Sequence, residues 1–155
     1  MKKTVIIAIF IIYLASIVAV QLFGIPATVP EGGKYVESLE ITGVTHSGNQ
    51  SVHELTNSKT GDKWYWFYFT ESANGGYTKD ADSLANNPNR VKIVYLLTPE
   101  DASKETLSYT FDNDNVVFIP ETEEIVFLKA VKVNVMIKES KGNINARDEV
   151  SIVAR

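Results

Sequence analysis

The chain opens with an apolar run that leaves few choices for its surroundings. Residues 5–23 carry no charge and follow Lys2 and Lys3. At about 1.5 Å of rise per residue, a helix of that length crosses most of the ~30 Å hydrocarbon core of a bilayer. A helix suits lipid because it satisfies its own backbone N–H and C=O groups. The polar side chains in and beside the run, Thr4, Tyr13, Ser16 and Gln21, are all uncharged. Lysines ahead of the span predict an amino terminus inside and a carboxyl terminus outside. Residues 1–23 are therefore expected to form a single N-terminal transmembrane helix, with residues 4–23 in the cell membrane and the rest extracellular. The competing reading is a cleaved signal, which would make the domain secreted. Signal cores usually run about 7–15 residues and end at a small-x-small site. Residues 19–24, Ala-Val-Gln-Leu-Phe-Gly, lack that spacing. With no Cys in the chain, a lipidated cysteine anchor is excluded.

Beyond Phe23 lie 132 residues, enough for one domain with a real core. Setting aside Lys2 and Lys3 leaves 13 basic and 19 acidic residues, a net charge of −6. That sign repels nucleic acid and anionic lipid, so neither is an expected partner of the body. Without disulfides, stability outside the cell must come from packing and β-ladders. Residues 24–34 contain Pro26, Pro30 and the pair Gly32-Gly33, and read as a spacer.

The remainder, 35–155, is strand-like throughout. Alternating patterns predict strands at 35–44, 91–97, 106–111, 116–119, 125–128, 131–137 and 148–153, with a short one near 52–55. Residues 131–137 show the cleanest two-residue period: Val131, Val133, Val135 and Ile137 against Lys132, Asn134 and Met136. Residues 71–89 form a long polar connection with a helical turn expected near 81–85.

Residues 64–69, Trp-Tyr-Trp-Phe-Tyr-Phe, are the most unusual local feature. Aromatic side chains favour pleated surfaces, so a strand is expected. Alternation puts Trp64, Trp66 and Tyr68 on one face and Tyr65, Phe67 and Phe69 on the other. One face can fill a core. The other must be covered by a loop or the chain end, or must meet a partner. Trp64, Trp66 and Tyr68 are the candidate partner-binding residues.

Residues 87–153 resemble bacterial group 2 immunoglobulin-like domains. The resemblance is carried by Leu97-Thr98-Pro99-Glu100-Asp101-Ala102-Ser103, Leu107-Ser108-Tyr109, Val116-Val117, Ile125-Val126-Phe127 and the closing alternating strands. It implies an all-β, immunoglobulin-like antiparallel β-sandwich over 35–155, of a kind found in cell-surface and adhesion proteins. It implies no catalytic residue. The chain departs from the family in having no Gly in the turn at 121–124 or just after Lys129, and no Trp near Tyr109.

Bond-breaking chemistry finds little support in the sequence. His46 and His53, with Glu54, are too few ligands for zinc, and Asp80, Asp82 and Asn86 match no calcium loop. There is no Gly-x-Ser-x-Gly elbow, phosphate loop or dinucleotide fingerprint. No enzyme activity, metal or cofactor is expected. The expected role is structural or adhesive, toward a cell-surface protein. One alternative is a carbohydrate-binding sandwich that uses the aromatic face on a glycan. Another is an accessory subunit whose helix packs through Ala8, Ala15, Ser16 and Ala19.

Overall fold

The computed structural model describes residues 34–155 except Asn74. The expected membrane helix and nearly all of the spacer lie outside the described residues. Among the described residues no helix is long and apolar enough to cross a membrane.

Nine strands form two sheets. In chain order they are β1 (Ser38–His46), β2 (His53–Thr56), β3 (Lys63–Phe67), β4 (Arg90–Thr98), β5 (Leu107–Phe111), β6 (Val116–Ile119), β7 (Glu124–Phe127), β8 (Lys132–Glu139) and β9 (Arg147–Ala154). A short helix, α1 (Ala81–Asn86), precedes β4. One sheet has the order β1-β4-β7-β6, the other β2-β3-β9-β8-β5. The domain is a two-sheet β-sandwich. Among the described residues every strand pair is antiparallel except β3 with β9, which run parallel. That pair corrects the expectation of wholly antiparallel sheets. No hairpin links β3 to β9, so turn geometry does not dictate their relative direction.

The alternating strands behave as their period requires. On β8, Val133, Val135 and Ile137 are buried while Lys132 and Lys138 are exposed. Val150 and Ile152 of β9 face the same way. Val91 and Ile93 of β4, with Ile125 and Phe127 of β7, close the core from the opposite sheet. β1 starts three residues later than its pattern predicts and carries a bulge between Ile41 and Gly43. The extra residue there lets a nine-residue strand stay paired with β4 while it bends over the core.

Polar groups inside the sandwich are paired through side chains. Glu139, at 1 % exposure, accepts from the Thr106 hydroxyl (2.6 Å) and the backbone N–H groups of Val36, Ser140, Lys141 and Gly142. Burial alone would raise its pKa. These hydrogen bonds outweigh burial and hold the carboxyl below its ordinary range. The same knot fixes the start of the domain, because Ser103 N–H donates to the Lys34 carbonyl (2.8 Å) beside the Val36–Glu139 bond. Asp148 reaches across to accept from the Ile41 N–H (2.7 Å) and so satisfies a backbone donor of edge strand β1.

Candidate functional site

The aromatic strand β3 divides as alternation requires. Tyr65 and Phe67 are buried, and Phe67 packs edge-on against Phe127, with centroids 5.2 Å apart. Trp64 and Trp66 are half-buried and Tyr68 is 63 % exposed, all on the outer face of the five-stranded sheet. Tyr65 lies on the core side but sends its hydroxyl to Glu54 (3.0 Å). Burial first and that carboxylate second push its pKa up to about 12. Glu54, in turn, is held below its ordinary pKa by the Tyr65 hydroxyl and by Lys63 at 3.3 Å.

The three outward aromatics are not equivalent. His53, directly opposite on β2, stacks on the Trp66 ring with centroids 4.1 Å apart and planes at 18°. The Arg155 guanidinium carbon lies 3.6 Å from the same centroid. Two groups that close to one centroid must occupy opposite faces of the indole. Tyr68 then meets Trp66 edge-on at 5.2 Å. Trp66 is thus covered from both sides by its own chain, and an incoming planar ligand would have to displace His53 or Arg155. Trp64 has no ring partner among the described residues, and of the two tryptophans it is the one able to receive a ligand.

Trp64 lines a groove of about 500 Å³ on the outer face. That volume lies within the range of about 300–1,000 Å³ typical of small-ligand sites. The ladder sets its composition. Trp64 pairs with Ser151, and Ser151 with Asn134. Trp66 pairs with Val153, and Val153 with Lys132. Asn57 and Asp62 of the β2–β3 turn line the groove as well, together with Arg155. A polar rail continues across the sheet. The Ser151 hydroxyl bonds the Asn134 amide oxygen, and the Asn134 amide donates to Asp112 (2.7 Å). The site therefore combines a half-buried indole with no ring partner, a small apolar floor at Val153, hydrogen-bonding groups of both kinds and three cations.

No family model, curated protein or solved structure matches this chain. Residues must therefore be assigned from the geometry alone.

The other sequence-level candidates go elsewhere. His46 is turned inward, edge-on to Phe67 at 5.3 Å, and its Nδ1 accepts from the Gly48 N–H (3.0 Å). Burial lowers its pKa, against the opposing effect of the Gly48 bond. His46 and His53 do not converge on one centre, and no cluster of three metal-type ligands occurs among the described residues. In the 71–89 connection, Asp80 accepts from Thr78 (2.7 Å), and Asn86 bonds the Asp82 carbonyl. Asn87 and Asn89 are buried, at 2 % and 0 % exposure, and bond Phe127, Thr70 and each other. The Asn-Asn-Pro-Asn run at 86–89 is thus partly structural cement, with Asn87 pinning the connection to β7. Sequence reasoning missed Lys132, Ser151 and Arg155. They lie far along the chain from Trp64, and only the parallel β3–β9 pairing brings them together.

Proposed function

We propose that this chain is a membrane-anchored, extracytoplasmic immunoglobulin-like module that acts by binding rather than by bond-breaking. The strand order supports the immunoglobulin-like part. With the β2–β3 hairpin set aside, the seven strands β1, β4, β5, β6, β7, β8 and β9 can be lettered A to G. The sheets then read A-B-E-D and C-F-G, the plan of a constant-type immunoglobulin domain. The hairpin is an insertion between A and B, joined in parallel to G. The anchor rests on residues 4–23 and the lysines before them. Spacer residues 24–33, fully extended, reach at most about 36 Å, so the domain would work close to the bilayer.

The observation that carries the binding role is the outer face at β3, where half-buried Trp64 lines the groove and Tyr68, just beyond the strand, is exposed. Fold alone would not supply it, because function resides in sites grafted on folds. The role is structural or adhesive, toward a cell-surface component. The test is retention of labelled full-length protein, held in neutral detergent, on cell-envelope preparations. The double variant Trp64→Ala/Tyr68→Ala should lose about tenfold or more in retention, as expected for removing anchor aromatics, while keeping its melting temperature. Equal retention would remove the outer face from the proposal.

A second reading, a glycan partner, is favoured by one specific feature. Trp64 lines the groove with no ring stacked on it among the described residues, beside groups that both donate and accept hydrogen bonds, which is what a sugar's apolar C–H face and rim of hydroxyls require.

A further inference from the structure

The groove has a charge opposite to that of the body that carries it. The sequence beyond Phe23 has a net charge of −6, yet among the described residues the groove is lined by the side chains of Lys63, Lys132 and Arg155 against the side-chain carboxylate of Asp62. Lys63 is held by Glu54 at 3.3 Å. Lys132 and Arg155 make no ion pair among the described residues. Stacking over Trp66 fixes the Arg155 guanidinium by its face, which leaves the N–H donors in its plane free to point sideways. Lys132 stands in the same cross-strand row, beyond Val153. The groove thus presents an aromatic platform at Trp64 and two cations without a carboxylate partner around a small apolar floor.

We propose that this groove binds an acidic polysaccharide, with a hexuronate ring lying on Trp64 and its carboxylate held by Lys132 and Arg155. This rests on the outer-face reading above and adds the chemical class of the ligand. A pyranose presents an apolar C–H face to the indole, as a flat neutral surface requires. Asn57, Ser151 and Asp62 are placed for its hydroxyls. The carboxylate supplies the charge that Lys132 and Arg155 lack. Charge-assisted hydrogen bonds of this kind are about twice as strong as neutral ones. An acidic peptide would match the cations but would leave the indole without a flat partner.

The experiment is tryptophan fluorescence of the full-length chain in neutral detergent. It is titrated with polygalacturonate, alginate and hyaluronate, each against its methyl ester, which keeps the backbone and removes the charge. At least one acid polymer should bind about tenfold more tightly than its ester. Lys132→Gln should weaken the acid about tenfold and leave the ester unchanged. Trp64→Ala should abolish both, with a melting temperature lowered by no more than a few degrees. Added salt should weaken the acid form alone. Equal binding of acid and ester, lost in Trp64→Ala, would overturn the charge assignment and leave the outer face standing. Acid binding that survives Trp64→Ala would overturn both. Dextran sulfate or phosphatidylglycerol vesicles binding as tightly as the polyuronates would overturn the ligand class. Silence toward every polyuronate would overturn the inference, and retention on envelopes would still decide the outer face.

Discussion

Trp64 and Phe67 sit three positions apart on one strand yet on opposite sides of its sheet, so their substitution should separate binding from stability. Phe67 is fully buried against Phe127 and His46. Phe67→Ala should cost about 3–5 kcal/mol in denaturant unfolding, whereas Trp64→Ala should cost about 1 kcal/mol or less. The division of aromatics between two faces was legible from alternation alone. The covering of Trp66 was not, because Arg155 is 89 positions away in sequence. A buried carboxylate gives a second residue-scale expectation. The folded-state pKa of Glu139 lies below its unfolded value, so its stabilisation is complete above the unfolded pKa and is lost as pH falls through the folded one. Unfolding measured from neutral pH down to about pH 3 should show an acid-side loss that Glu139→Gln flattens. The same variant should also lower neutral-pH stability by about 2–3 kcal/mol, because an amide turns a donor toward backbone N–H groups.

Elements, rather than single side chains, decide the fate of the long connection before β4. Its composition of Asn, Gly, Asp and Pro reads as a solvated loop, and its helical turn lies at Ala81–Asn86 as expected. The sequence could not reveal that Asn87 and Asn89 fill an interior position, because their partners Thr70 and Phe127 arrive from the segment after β3 and from β7. Arg90 adds to this latch. It pairs with Glu124 at 2.8 Å and donates to the Leu84 and Asn87 carbonyls at the end of α1. Asn89→Ala should cost about 2–4 kcal/mol, since it orphans several buried groups at once, and limited proteolysis should then cut within residues 71–86. The turn before β7 has a related lesson. It holds no glycine, yet Glu123 adopts φ 54° there, the left-handed conformation that glycine favours. Bonds from Tyr95 (3.1 Å) and Lys104 (3.3 Å) to its carboxylate hold that conformation. At the β8–β9 turn, a Cβ on Gly142 would lie 2.5 Å from that of Tyr35. Gly142→Ala should therefore destabilise by about 1–3 kcal/mol, read as a lower denaturant midpoint.

For the molecule as a whole, the sandwich was legible from period-two runs such as 131–137, and the strands expected at 91–97, 106–111, 116–119, 125–128, 131–137 and 148–153 each overlap a strand of the structure. Residues 47–89 interpose the β2–β3 hairpin and α1 between β1 and β4, which are neighbours in the four-stranded sheet. That segment carries the aromatic face, while β8 and β9 supply the rest of the candidate site. The proposed topology makes its own prediction. The full-length chain should sediment with membranes, and protease added to intact cells should digest residues 34–155. Protection of the domain would reverse the assigned orientation.

The place of β9 between β3 and β8 has a consequence for biosynthesis. About 90 residues separate Phe67 from Ala154, so at about 5–20 residues per second the β2–β3 hairpin waits roughly 5–18 s for its neighbour to be synthesised. During that interval Tyr65 and Phe67 have no sheet to join. Any message that stops early would leave a sticky aromatic fragment on the cell's hands, and a holdase that shields nascent chains would be its natural caretaker.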